Sequence, residues 1–272
     1  MALAMDQHRV HRPAAVVDRC VPDNLDEAGL GIDLDFTDGA SIGVGWDAHR
    51  FVRHPHQRSA QIARDAVAEC RGCDLEQADA GDRIAAALAA EGVEVEYVVN
   101  NAGFGMFGQA IERDRLEQLG MIGVNIRALT DLSLRFSEHL IRHRGGILNI
   151  GSVAGFLPGP GMAVYYASKA YVLSFSEALR RELAPRGVRV TVLCPGPVLT
   201  EFQGRAGFLP GFDSAVLNIS AFDAARAGYR GLMANKRAVL PGLGIKIVPL
   251  LLRFFPRGFV LAAVGRLQLR KR

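Results

Sequence analysis

A tyrosine and a lysine four residues apart, Tyr165 and Lys169, are the first residues here whose types and spacing could do chemistry. On a helix, this spacing places both side chains on one face. A phenol has a pKa of about 10, and a nearby ammonium favours its ionised form and lowers that pKa. The pair could then exchange a proton with a substrate near neutral pH. Ser152 follows the apolar run 146–150, so its hydroxyl is expected at a strand end, where α/β sheets hold their sites.

Further motifs follow predicted strands or helices in a fixed order around this pair. They are Asn100-Asn101-Ala102-Gly103, Asn125, and Pro195-Gly196-Pro197-Val198 with Thr200 behind it. In order and spacing, the set resembles the short-chain dehydrogenase/reductase family over residues 74–204. The resemblance implies an α/β fold with a doubly wound parallel sheet (Rossmann-like) in a single domain. It also implies an NAD(P)-dependent oxidoreductase that interconverts an alcohol and a ketone.

The resemblance gives each matching residue a role. Tyr165 would exchange a proton with the carbonyl oxygen, Lys169 would lower the tyrosine's pKa and bind the nicotinamide ribose, and Ser152 would hydrogen-bond the carbonyl. Asn125 would support the proton relay through a water beside Lys169, held by its backbone carbonyl. The remaining cofactor contacts would come from Asp74 at the adenine, from Asn101, Ala102 and Gly103 at the adenosine ribose, and from Pro195, Gly196, Val198 and Thr200 on the nicotinamide side.

The N-terminal part of the chain departs from the family pattern. Gly39, Gly43 and Gly45 have the spacing of the cofactor loop, where glycines let the backbone approach a diphosphate at a helix N-terminus. However, Asp38 places a negative charge beside that loop, and Asp74 lies only 29 positions after Gly45. One βα step is therefore expected to be absent or deformed. A shifted reading frame, a wrong start or genuine divergence would each produce such an atypical first βα region.

Composition favours one α/β domain in a reducing compartment. The 272 residues carry a net charge of +4 and four cysteines, and no motif for binding nucleic acid accompanies the basic residues. Cys70 and Cys73 lack the second ligand pair that zinc needs, and the histidines at 49, 54 and 56 lack matching carboxylates, so no metal site is predicted. No signal peptide is predicted, and the expected location is the cytoplasm.

The predicted domain division is an irregular tail over 1–30, a dinucleotide-binding catalytic domain over 31–242 and an apolar, basic C-terminal extension over 243–272. Pro249, Arg253 and Pro256 interrupt the extension, so it is not expected to span a membrane. It could pack on the domain or a partner, or lie on a membrane surface. The resemblance implies a homo-dimer or homo-tetramer formed through the helix over 168–183. It also implies a lipophilic carbonyl or alcohol substrate, ketoacyl, steroid-like or similar.

Two alternatives stay open at this point. The arginines at 50, 53, 58 and 64 favour NADP as the cofactor, but NAD is not excluded, because the strand that would carry the 2′-hydroxyl or 2′-phosphate contact cannot be located. The alternative function is a non-catalytic oligomeric scaffold or binding protein that keeps the family core with a defective cofactor loop.

Overall fold

A parallel β-sheet forms the centre of the computed structural model, which describes residues 73–90, 92–198 and 219–269. The described strands are β1 (Tyr97–Asn100), β2 (Gly146–Ile150), β3 (Arg189–Leu193) and β4 (Ala238–Val239). They lie side by side in the order β1-β2-β3-β4, and every pairing is parallel. Because parallel strands all end at one edge, the segments that follow β1, β2 and β3 meet there.

Helices connect the strands and cover the sheet. Their bounds are α1 (Ala80–Ala90), α2 (Arg115–Ile122), a π-helical segment (Gly123–Ala128), α3 (Leu129–Arg135), α4 (Ser137–His143), α5 (Ala163–Leu183), α6 (Ala221–Met233), α7 (Leu243–Leu252) and α8 (Arg257–Leu269), with short 3-10 helices at Ala110–Glu112, Val153–Phe156 and Ala184–Arg186. The side chain of Ser220 caps α6 by accepting from the Asp223 backbone N–H.

Both faces of the sheet are buried, which explains why the strands are mostly apolar. Val190 of β3 packs in one cluster with Leu179 of α5. Leu193, three positions later in the same strand, packs in another cluster with Leu232 of α6. Odd- and even-numbered strand residues point to opposite faces, so a strand covered on both sides needs apolar residues in succession. The predicted doubly wound parallel sheet is confirmed.

A buried polar network ties β1 to β2 at the end where the site forms. Asn100 Nδ2 donates to Asn149 Oδ1 at 2.8 Å and to Ser133 Oγ at 2.9 Å. Asn149 Nδ2 in turn donates to Ser176 Oγ at 2.9 Å. All four side chains are buried, and Asn100 and Asn149 are register partners in the sheet. A satisfied network of this kind fixes the strand register and attaches α3 and α5 to the sheet.

The apolar stripe over residues 116–139, which predicts one helix, is divided in the structure. The helix passes through the π-helical segment Gly123–Ala128 and is interrupted at Phe136, whose φ of −92° and ψ of 7° leave the helical region. A π-helical turn carries one more residue between hydrogen-bonded groups than an α-helical turn, and such turns are frequent at functional sites. Here it contains Asn125.

The C-terminal extension forms α7 and α8, which pack on the domain through Ile245 and Val260. No helix within the described ranges is long and apolar enough to cross a bilayer. The predicted tail over 1–30, the start of the domain at 31 and the atypical first βα region all lie outside the described residues, and the domain division stays a prediction.

Homo-oligomer formation also stays a prediction. Large apolar side chains are exposed on α2, at Leu116 and Leu119, and on α5, at Tyr171. Tyr171 stacks on Phe175 and shares a hydrogen bond of 2.9 Å with Thr130 of α3. The surface therefore offers apolar area along the helix that the resemblance assigns to subunit packing.

Candidate active site

The candidate site lies at the carboxyl edge of the sheet, where the segments after three neighbouring strands converge. Ser152 follows β2, the Asn101–Gly103 loop follows β1, and Pro195 follows β3. The backbone N–H of Val153 donates to the Pro195 carbonyl at 2.9 Å and joins two of these segments. The sequence prediction that Ser152 stands at a strand end is confirmed.

Tyr165 and Lys169 lie in the first two turns of α5 and face the end of β2. Lys169 is only 6% exposed, and its Nζ donates to the Ile150 carbonyl at 2.8 Å. The same Nζ is 5.9 Å from the centroid of the Tyr165 ring. The predicted shared helix face is therefore confirmed, and the last residue of β2 holds the lysine beside the tyrosine.

Ser152 links the strand end to the phenol. Its Oγ accepts from the Ala154 backbone N–H at 3.1 Å and so caps the short helix Val153–Phe156. Its hydroxyl also hydrogen-bonds to the phenol of Tyr165. A substrate oxygen placed at the phenol would consequently meet two hydroxyl groups at once.

The electrostatics of the pair differ from the sequence expectation. Burial raises the pKa of Tyr165 to about 12, and the Ser152 hydrogen bond opposes this rise. Burial also lowers the pKa of Lys169 to about 8. The expectation that Lys169 lowers the pKa of Tyr165 is wrong for this structure, because the lysine loses its charge well below the pH at which the phenol ionises. At neutral pH the phenol holds its proton and the lysine is charged.

Asn125 joins the loop after β1 to helix α5. It is 1% exposed, and its Oδ1 accepts from the Phe104 backbone N–H at 3.1 Å while its Nδ2 donates to the Phe104 carbonyl at 3.0 Å. Nδ2 also donates to Ser168 Oγ at 3.0 Å. The structure thus gives the side chain of Asn125 a positioning role. The predicted water on its backbone carbonyl stays a prediction.

The loop after β1 fits a nucleotide ribose. Asn101 Oδ1 is buried without a hydrogen-bond partner among the described residues, and a buried acceptor of this kind calls for a donor. A Cβ on Gly103 would lie 2.8 Å from Asn125 Oδ1 and 3.5 Å from Lys169 Nζ, so only glycine leaves this space open. Ribose hydroxyls could donate to Asn101 and approach the backbone at Ala102 and Gly103.

Other predicted cofactor residues have mixed outcomes. Asp74 is exposed and accepts from the Glu76 backbone N–H at 2.9 Å and from Gln77 Nε2 at 3.0 Å. These hydrogen bonds lower the pKa of the Asp74 carboxyl, and the bond from Gln77 has the larger effect. The contact of Asp74 with adenine stays a prediction. Pro195 and Gly196 directly follow β3, and Val198 bridges to Ile219 in parallel. Outside the described residues lie Gly39, Gly43, Gly45, Thr200, the four arginines and the three histidines considered above.

Ser168 is a site residue that the sequence reasoning missed. Its Oγ accepts from Asn125 and donates to the Tyr165 carbonyl at 2.7 Å. A signal was present, since a residue three positions after Tyr165 on a helix faces the same side. The bond between Gln268 Nε2 and Tyr166 Oη, at 3.0 Å, had no comparable signal because it joins residues 102 positions apart.

A cleft of about 720 Å³ lies beside the adjacent residues Tyr165 and Tyr166. Its lining is mostly apolar and comes from the segment after β2, from α5 and from the C-terminal helices, including Phe156, Leu157, Tyr166, Leu252 and Val260. The ring of Tyr166 meets that of Tyr165 edge-on, with centroids 6.0 Å apart. The cleft therefore adjoins the candidate catalytic group.

This chain is similar in sequence to a known protein family. A family model described as short chain dehydrogenase matches residues 39–207. A sulfoacetaldehyde reductase of Chromohalobacter salexigens is 40% identical over 132 residues, which are 47% of this chain and 52% of that protein. The chain spans about half the length of the curated relatives it matches, from 27% to 60%.

Two solved structures have a fold similar to that of this chain. A short-chain dehydrogenase from Sphingobium yanoikuyae in complex with NADPH has a TM-score of 0.60 and 28% identity, covering 74% of this chain and 80% of that chain. The 3-ketoacyl-(acyl-carrier-protein) reductase from Brucella melitensis, complexed with NADH, has a TM-score of 0.58 and 27% identity, covering 68% of this chain and 81% of that chain.

Proposed function

This chain belongs to the short-chain dehydrogenase family, and we propose that it is an NAD(P)-dependent oxidoreductase that interconverts an alcohol and a ketone. The observation that carries the proposal is the meeting of Ser152, Tyr165 and Lys169 at the carboxyl edge of the sheet. The Ser152 hydroxyl bonds the Tyr165 phenol, and the Lys169 amine lies 5.9 Å from the phenol ring. Two hydroxyl groups and one cation in this arrangement suit the handling of a carbonyl oxygen.

Tyr165 acts as the general acid in the reducing direction. With a pKa of about 12, its phenol is protonated at neutral pH and has a proton to give to a developing alkoxide. Ser152 holds the same oxygen through its hydroxyl, which keeps the carbonyl within reach of the phenol. In the oxidising direction the phenol must first lose its proton, which its raised pKa opposes. The protonated phenol is therefore the form ready for ketone reduction.

Lys169 supplies charge and replaces the proton. Its amine is charged at neutral pH, and its pKa of about 8 keeps the loss of that proton accessible. The amine lies next to Gly103 and would bind the hydroxyls of the nicotinamide ribose. Asn125 and Ser168 hold that loop and α5 in a fixed relation through their hydrogen bonds.

When bound, the nicotinamide cofactor supplies the hydride. Asn101, Ala102 and Gly103 would hold its adenosine ribose, and Pro195, Gly196, Val198 and Thr200 would lie on the nicotinamide side. Asp74 would contact the adenine, and Gly39, Gly43 and Gly45 would approach the diphosphate. We propose NADP as the preferred form because of the arginines at 50, 53, 58 and 64, with NAD as the alternative.

The substrate we propose is a lipophilic ketone or the corresponding alcohol. The support is the mostly apolar cleft of about 720 Å³ that adjoins Tyr165 through Tyr166. Apolar walls with few polar groups select ligands by burial of hydrocarbon surface. A 3-ketoacyl thioester, a bulky cyclic ketone and an aromatic ketone represent the classes that would fill such a space.

The decisive experiment replaces Tyr165 with phenylalanine. Cofactor binding is measured first, by fluorescence titration with NADPH and with NADH, and turnover is then measured on the three ketone classes through nicotinamide absorbance. General acid catalysis contributes about 10²- to 10⁴-fold, so Tyr165→Phe should lower kcat by about 10³-fold. The dissociation constant for the cofactor should change by no more than about three-fold, because the ring is retained.

Tyr166→Phe is the matched control, because it removes the neighbouring hydroxyl, which Gln268 holds, and should leave most of the turnover intact. Turnover by Tyr165→Phe within ten-fold of the wild type would contradict the mechanism. A folded wild-type protein that binds neither cofactor would instead favour the non-catalytic scaffold function.

A further inference from the structure

The C-terminal part of this chain has a charge distribution unlike the rest. Residues 224–272 contain eleven lysines and arginines and no aspartate or glutamate. The whole chain has a net charge of +4, so the preceding 223 residues carry a net charge of −7. Such asymmetry within one chain points to an anionic partner for its basic end.

The same region carries a concentration of exposed apolar side chains, which we call the C-terminal apolar face. Its members are Ile247, Leu250, Leu251, Phe254, Phe255, Phe259 and Leu261. They are seven of the fourteen large apolar side chains that are exposed among the described residues, and they fall within fifteen consecutive positions. Phe254 is 76% exposed. A cluster of this density marks an interaction surface rather than scattered surface residues.

The apolar residues of helix α7 lie on two opposite sides of the helix, one buried and one exposed. Ile245 is buried, and the 100° rotation per residue places Leu252 on the same inner side. Ile247, Leu250 and Leu251 fall on the opposite, outer side. Lys246 and Arg253 fall between the two sides, at the flank of the outer apolar residues, and both are exposed.

The basic residues of this region are available to a partner. Lys246, Arg253, Arg257 and Arg266 are exposed and form no ion pair with any other residue that the structure describes. Long basic side chains at the edge of an apolar face can extend their charges outward while their aliphatic stems remain with the apolar residues. This is the arrangement of helices that lie in a bilayer interface.

We propose that the C-terminal apolar face binds the surface of an anionic lipid bilayer. The apolar side chains would enter the boundary between headgroups and acyl chains, and the flanking lysine and arginines would contact anionic headgroups. A second copy of this chain is a poorer occupant, because a two-fold interface would bring this basic surface against itself. Helices α7 and α8 would therefore lie on the membrane surface.

The cleft beside the candidate catalytic tyrosine opens on the same side. Phe255 and Leu261 belong both to the C-terminal apolar face and to the lining of the cleft, and Arg257 also lines it. A lipophilic substrate dissolved in the bilayer could thus enter the cleft without crossing water. This last step rests on the proposed function, whereas lipid binding itself does not.

Vesicle flotation with the full chain tests the proposal without cofactor or substrate. Vesicles of phosphatidylcholine with about one third phosphatidylglycerol are compared with vesicles of phosphatidylcholine alone. Each basic residue near an anionic surface contributes about five-fold to binding, so Arg253→Gln/Arg257→Gln should weaken partitioning by about thirty-fold. Leu250→Ser/Phe254→Ser removes apolar side chains that are exposed, and should weaken partitioning by at least about ten-fold.

The controls make the same chemical changes elsewhere on the surface. Arg181→Gln/Arg186→Gln removes two exposed charges from the end of α5 and the turn after it, and Ile111→Ser/Leu134→Ser removes two exposed apolar side chains outside the C-terminal region. Both controls should float as the wild type does. Circular dichroism of every variant checks that it is folded.

Three outcomes would overturn the proposal. The first is the absence of flotation with the anionic vesicles. The second is flotation that the Arg253/Arg257 and Leu250/Phe254 variants leave unchanged. The third is a wild-type dimer that Leu250→Ser/Phe254→Ser dissociates while vesicle binding persists, because the face would then belong to a second copy. A failure of Tyr165 to act as proposed would change none of these measurements.

Discussion

Lys169 should make the stability of this protein depend on pH in the alkaline range. Its amine is buried at the end of β2, with the Ile150 carbonyl as its hydrogen-bond acceptor at 2.8 Å. Burial disfavours the charged amine and lowers its pKa from 10.5 to about 8. Folding therefore makes this proton easier to remove, and the linkage between protonation and folding turns that change into stability.

The sign and size follow from the two pKa values. Between pH 8 and 10.5 the unfolded chain keeps the lysine proton while the folded chain has lost it, so the free energy of unfolding rises with pH over this window. Each pKa unit corresponds to about 1.4 kcal/mol, and the whole change is therefore about 3 kcal/mol. Below pH 8 the folded protein bears the full cost of the buried charge.

Lys169→Met isolates this contribution, because methionine has a similar shape and no charge. Burial raises the pKa of Tyr165 from 10.0 and that of Cys194 from 9.0, each to about 12, so both residues lower stability as the pH rises above those starting values. Both residues are present in wild type and variant, and although the charge of Lys169 lowers the pKa of Cys194, burial is the larger cause of its shift. Urea unfolding from pH 7 to 10 should show the wild type gaining most of about 3 kcal/mol relative to Lys169→Met.

A difference between the two proteins that stays constant over this range would refute the reasoning. It would mean that the amine is hydrated in the folded state and keeps its ordinary pKa. A difference that falls as pH rises would mean that the folded protein stabilises the charged amine. Either result would remove the basis for giving Lys169 an accessible proton near neutral pH.

Two further predictions concern the contacts around this pair. Asn125→Leu should lower the free energy of unfolding by about 3 kcal/mol in urea titrations, because it removes the side chain's hydrogen bonds to both backbone groups of Phe104 and to Ser168. Ser168→Ala should cost about 1 kcal/mol, and equal losses would contradict this reasoning. Gly103→Ala places a methyl group about 2.8 Å from Asn125 Oδ1 and should weaken cofactor binding by about ten-fold or more in fluorescence titrations. Adding Asn125→Ala should relieve part of that loss, and strictly additive effects would count against the clash.

Much of the candidate site could be predicted from the sequence because its residues are local to recognisable elements. The spacing of Tyr165 and Lys169 fixes their shared helix face whatever the rest of the chain does. Ser152 and the loop at Asn101 each follow a short apolar run, and parallel strands bring such strand ends together. The topology thus turns three separate local patterns into one site.

The remaining features depend on burial and on distant contacts, which no local pattern reveals. The raised pKa of Tyr165 results from burial that outweighs the hydrogen bond with Ser152, and the sequence shows only that a lysine is close. The bond from Gln268 to Tyr166 depends on where α8 returns to the domain. The π-helical segment Gly123–Ala128 within the predicted helix likewise reflects tertiary contacts of Asn125 rather than helix propensity.

Asn125 shows why a locally unfavourable residue can hold the site together. An asparagine inside a helix costs roughly 0.7 kcal/mol relative to alanine. Its three buried hydrogen bonds, two to the Phe104 backbone and one to Ser168, contribute about 1 kcal/mol each and outweigh that cost. Because Ser168 in turn donates to the Tyr165 carbonyl, this one amide sets the position of α5 relative to the loop that would hold the ribose. The hydrogen bonds that stabilise the π-helical segment therefore also align Tyr165, the proposed proton donor, with the loop after β1.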